Sequence, residues 1–170
     1  MTTETEKAPC MKPEPQAEHK WLQKMVGEWT IESECVMGPD QEPFRSTGRE
    51  TVRAMGDVWI VAEGEMTSPT GEVGQTMMTL GFDHVKKKFV GSWIGSMMTN
   101  MWVYEGKLDS EQKVLPLDTV GPDFVTEGNE AKYQDIHEIV NNDHRILKSQ
   151  TQGADGKWTQ FMTAHYKRKK

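Results

Sequence analysis

After Gly27 the apolar residues recur at every second position, and they do so almost to the end of the chain. That period is the strand period, because successive side chains of a strand point to opposite faces. The runs are "EWTIESECVM", "FRSTGRETVRAM", "DVWIVAEGEM", "GQTMMTLGFD", "FVGSWIG", "TNMWVYEGKL", "VLPLDT", "AKYQDIHEIV", "HRILKSQTQ" and "WTQFMTAHYKR". Short polar turns separate them, among them "SPTGE", "DSEQK", "NND" and "GADGK". About ten strands at this spacing predict an all-β meander of sequential antiparallel neighbours. An open sheet of that width leaves two unpaired edges. Closure removes them, so the spacing predicts a single antiparallel up-and-down β-barrel. A barrel of this width has an interior that side chains need not fill.

Two segments precede the strands. Residues 1–16 are charged and Pro-rich and have nothing to bury, which predicts a disordered leader; residues 17–170 form the barrel domain. In "AEHKWLQKMVG" the residues Trp21, Leu22, Met25 and Val26 fall at helical spacing, so a short N-terminal helix with one apolar face is expected, ending at Gly27. The leader has no apolar stretch of the secretory kind and no window reaches the length of a membrane span, so the cytoplasm is the expected location. A net charge of −6 argues against nucleic acid as partner, and "KRKK" at the end reads as a solvated terminus. Cys10 and Cys35 make no disulfide framework; Cys35, on the face of Trp29, Ile31 and Ser33, reads as an inert buried thiol.

The segment Gly27-Glu28-Trp29, placed between a short helix and the first strand, resembles the opening signature of the lipocalin and fatty-acid-binding (calycin) superfamily. The resemblance implies that Trp29 plugs the barrel floor and that a basic side chain of the last strand, Arg168 or Lys167, stacks on it. A closer likeness covers the chain from about Glu18 onward. "EHKWLQKMVGEWTIESE", "VWIVAEGE", "MMTLGFD", "FVGSWIGSMMTNMWVYEG" and "KWTQFMTAHYKRKK" are similar to a widespread bacterial family known as domain of unknown function 1579, itself grouped with lipocalin-like barrels. What this implies is a fold, with no catalytic residues to carry over.

The residues offer few constellations of their own. His19, His84, His137, His144 and His165 lack the close spacing of a zinc motif, so no metal is expected. His165 lies where haem-binding barrels of the nitrobindin type carry a proximal histidine. Their longer motifs are missing, so no haem or other cofactor is expected. Glu63 and Glu65 share a face with Trp59 and Val61; inside the barrel they could do acid–base chemistry, outside they keep a strand soluble. "GSWIGS" lacks the strand–turn–helix of a nucleophile elbow.

The set Met77, Met78, Trp93, Met97, Met98, Met101 and Trp102 reads either as core packing or as a deformable apolar pocket. Parity puts Met78, Trp93, Trp102 and Tyr104 on one shared face, and these are expected to line an enclosed, mostly apolar cavity; the opposite face, with Met77, Val90, Ile94, Met101 and Val103, is too apolar for hydropathy alone to settle which face is inward. The expected activity is binding of a small apolar or amphipathic molecule. The alternatives are a barrel enzyme using an interior carboxylate or hydroxyl (Glu63 or Tyr104), or a non-catalytic assembly module with a filled barrel. A homodimer is compatible with any of the three.

Overall fold

In the computed structural model, which describes residues 12–170, the ten runs become ten strands. After α1 (Ala17–Gln23) come β1 (Gly27–Cys35), β2 (Phe44–Met55), β3 (Trp59–Thr67), β4 (Val73–Asp83) and β5 (Lys88–Gly95). The second half holds β6 (Trp102–Gly106), β7 (Val114–Pro122), β8 (Glu130–Asn141), β9 (His144–Gln152) and β10 (Trp158–Arg168). Each strand pairs antiparallel with its sequence neighbours, and β1 pairs with β10, so the sheet closes into a barrel. Most of the expected leader, with Cys10, lies outside the described residues.

Register fixes the two faces. One inward row runs Val52, Ala62, Met78, Trp93, Trp102 across β2 to β6. The weakest seam is between β6 and β7, where only Glu105–Asp118 and Gly106–Leu117 pair. Beyond that short ladder the Trp102 ring crosses toward β7 and lies where a Cβ on Gly121 would be, so only glycine fits there.

The helix differs from the sequence reading in where it stops. It ends at Gln23, and i→i+3 bonds from Lys24, Met25 and Val26 tighten the chain into a turn before the strand. Gly27 is therefore the first residue of β1, not a helix cap. It has φ +141, a region that L side chains avoid, and a Cβ there would collide with the Arg168 guanidinium.

That guanidinium is the clasp of the barrel floor. It donates to the carbonyls of Val26 (2.7 Å), Lys24 (3.0 Å) and Asn142 (2.8 Å), and its Cζ lies 4.3 Å from the centroid of Trp29. Lys167 faces outward instead, paired in register with Thr30. Trp29 is fully buried, and its indole N–H donates to the Met25 carbonyl (2.8 Å). On the other side of the floor, Trp21 of α1 packs edge-on against Phe89, which packs in turn against Phe82. His19 Nδ1 accepts the Gln16 N–H (2.8 Å), which leaves Nε2 to donate to the Phe82 carbonyl (2.9 Å). Helix and floor thus close one end. The loops at the other end carry exposed apolar side chains, among them Met37, Phe44, Met97, Phe124 and Val125.

Candidate functional site

The barrel lumen has a polar belt between the closed floor and the apolar-rimmed mouth. Four charged side chains lie on inward positions among the described residues: Glu50, Asp135, Arg145 and Arg168. Arg168 belongs to the floor. Arg145, from β9, pairs with Glu50, from β2, across the barrel, and its guanidinium lies over two rings, 3.9 Å from the Tyr166 centroid and 4.6 Å from that of Trp29. Burial of such a pair is tolerated because each charge answers the other and the aromatic faces add a cation–π attraction. The buried Tyr166 phenol has its pKa pushed up, by burial first and by the Glu50 charge next.

A second cluster sits further along β8. The Tyr104 hydroxyl donates to Asp135 Oδ2, and Ser149 Oγ donates to Asp135 Oδ1 (2.5 Å). Burial raises the Asp135 carboxyl above its usual range while the two hydroxyl donors pull it back. Burial, then the Asp135 charge, raises the Tyr104 phenol well above its ordinary value. Two further inward groups are enclosed without a hydrogen-bond partner, His137 Nδ1 and Thr119 Oγ1.

His137 shows the cost of that environment. Burial, with the Arg145 charge nearby, pushes its imidazole from 6.5 down to about 3. The unfolded chain takes up a proton near the ordinary value while the folded one does not. Stability is therefore full above about pH 6.5 and falls toward pH 3, by roughly 1.4 kcal/mol per pH unit. Urea midpoints should show a loss of about 2 kcal/mol between roughly pH 7.5 and 5. His137→Leu should flatten that slope; an unchanged slope would assign it to other groups.

The four residues that parity selects all face inward and are neighbours in the barrel. Met78 is paired in register with Trp93, Trp93 with Trp102, and Tyr104 with Gly91. Met78, Trp102 and Tyr104 are buried, and Trp93 is half-buried. Trp102 donates to Met98 Sδ (3.0 Å) and meets Tyr133 edge-on. Asp135, Leu147 and Trp93 occupy inward positions and are only partly buried. Two concavities lie elsewhere. One of about 990 Å³ runs along β1 to β5 and is lined by outward residues such as Arg49, Glu63, Glu65, Met77 and Ile94, by residues of the loop after β5, and by the inward Trp29 and Glu50. Another of about 640 Å³ lies by β1, β2 and β10. None of the four selected residues lines either.

The remaining candidates point outward. Glu63 and Glu65 lie on the outer wall, where Arg49 bridges to Glu65 (2.7 Å). Glu63 is therefore not an interior acid. His165 is exposed on the outer face, and its Nδ1 is 3.0 Å from His144 Nε2. Cys35 is half-buried near the mouth, 3.5 Å from Met37 Sδ, rather than enclosed. Among the described residues no three His, Cys, Asp or Glu side chains converge as metal ligands would, and no helix is long and apolar enough to cross a membrane.

The comparisons with known proteins agree with this architecture. The model of a family described as protein of unknown function (DUF1579) matches residues 14–168. The S-type phycobiliprotein lyase CPES from Guillardia theta superposes with a TM-score of 0.60 at 16% identity, over 92% of this chain and 99% of that one. Rv2717c from M. tuberculosis superposes with a TM-score of 0.64 at 11% identity, over 92% of this chain and 100% of that one. At such identities the likeness is one of fold. No curated protein matches the chain.

Proposed function

The chain belongs to the DUF1579 family, and from the site it carries we propose that it binds a small amphipathic molecule in the barrel lumen, entering at the apolar mouth. The single observation that supports this most is the incomplete burial of the inward residues Trp93, Leu147 and Asp135 in a barrel whose floor is shut. A lumen with apolar Met78, Trp93 and Trp102 above and a polar belt below suits a ligand of the same two-part character. Met78, Trp93 and Trp102 form the wall that meets the apolar body, and Tyr104 stands at the border with the belt. Met adapts to irregular shapes, and indoles offer area with little entropy to lose. The Guillardia theta barrel is a phycobiliprotein lyase, a role consistent with a fold of this kind meeting a small molecule. The cytoplasm remains the location we assign, and residues 17–170 the unit that binds.

The test is an environment-sensitive apolar dye. The dye should bind with enhanced emission, and Trp93→Glu, at a half-buried position, should weaken it at least about tenfold, or about 1.4 kcal/mol, with an unchanged urea midpoint. No binding by the parent protein would favour an assembly module with an unused lumen.

A further inference from the structure

Resting on that reading, we infer that the lumen selects ligands whose polar end donates a hydrogen bond and carries no negative charge, such as a hydroxyl, an amide N–H or an ammonium, and that Asp135 receives it. The argument is one of which charges a ligand can reach. Of the four inward charged side chains, Arg168 is spent on the floor, held by three main-chain carbonyls. Glu50 and Arg145 are buried, at 8% and 3% exposure, and bound to each other. The Arg145 guanidinium lies over the rings of both Trp29 and Tyr166, and its unpartnered Nε is closed to solvent. Asp135 alone of the four lies away from the floor and is only partly buried.

The chemistry of Asp135 then sets the ligand class. Its two oxygens each accept one hydroxyl, from Tyr104 and Ser149, and each carboxylate oxygen has room for about two donors. The remaining capacity is for donors only. A ligand carboxylate or phosphate placed there would meet a like charge in a partly desolvated space, with no free cation to answer it. Desolvation has already raised the Asp135 carboxyl, so an incoming donor or cation is relief, and an incoming anion adds to the strain.

Displacement of the bound dye by decylammonium and by decanoate tests this, because the two probes share one chain and one magnitude of charge. High salt removes the steering that a net charge of −6 exerts on exposed surfaces. Decylammonium should displace the dye at a concentration at least about tenfold lower than decanoate. Asp135→Asn should bring the two within about threefold of each other. If that variant does not fold, Tyr104→Phe replaces it: losing one competing donor should widen the preference. Equal displacement by the parent protein, or tighter decanoate, would overturn the inference while leaving lumen binding standing. A dye that binds but that neither probe displaces would place it outside the lumen and sink both.

Discussion

Arg145→Met is expected to lower the free energy of unfolding by about 3–5 kcal/mol, since removing one partner leaves the other charge buried and unanswered. The stranded group is Glu50, 8% exposed and enclosed by the barrel. The substitution also takes away the cation over the Tyr166 and Trp29 rings. A domain of this kind has roughly 5–15 kcal/mol in total, so the variant should be at the edge of folding at room temperature. Urea denaturation followed by tryptophan emission measures the loss. The double variant Arg145→Met with Glu50→Gln separates the charge from the packing, because a neutral amide is far cheaper to bury than a carboxylate. It should recover at least about a third of the loss. A double variant no better than the single one would mean that Arg145 acts by filling space and not by its charge.

Trp29→Ala should cost about as much, roughly 3–5 kcal/mol for the lost indole. Here the mechanism is a hole in the floor. Arg168 and Arg145 both lie over the Trp29 ring, at 4.3 and 4.6 Å, and its N–H fixes the turn that leads out of the helix at Met25. Calorimetry should show a lower midpoint, and Trp29→Phe should restore part of it by refilling the space without the N–H. A Trp29→Ala barrel that melts within about 1 kcal/mol of the parent would show the floor to be ornamental to stability.

The sequence made the barrel legible because its turns are short and polar and its strands keep one period. "NND" and "GADGK" left the chain no choice but to return beside itself, and the structure has β8, β9 and β10 as sequential neighbours. Trp29 was legible for the same reason: it stands at a change of period. The polar belt was not. In β9 the inward set is Arg145, Leu147, Ser149 and Thr151, and the outward set is His144, Ile146, Lys148 and Gln150. Each set holds one aliphatic and one charged residue, so hydropathy cannot say which faces in. Asp135 and Glu50 hide in the same way, in strands where a carboxylate looks like a solubilising residue. What identifies them is the register with strands far away in sequence, since Glu50 meets Arg145 from 95 positions off. For Glu63 the sequence left both readings open, because its face carries Trp59 and Val61; that face is the outer one, part of the wall where Met77 and Ile94 are also exposed.

The closed ring also orders events in time. Every ladder but one joins strands adjacent in the chain, so each can form as soon as its hairpin leaves the ribosome. The exception is β1 with β10, whose partners, such as Trp29 and Arg168, are separated by nearly the whole barrel sequence. Bringing them together costs loop-closure entropy that no nearer contact offsets, so this is the step that should limit the folding rate. Until it happens β1 stays an open edge, and the Val26 and Lys24 carbonyls that Arg168 will take remain wet. A nascent chain therefore carries an adhesive edge for as long as translation takes to reach β10. That makes the exposed charges along β1, at Glu28, Glu32 and Glu34, a safeguard during synthesis as much as a feature of the finished surface.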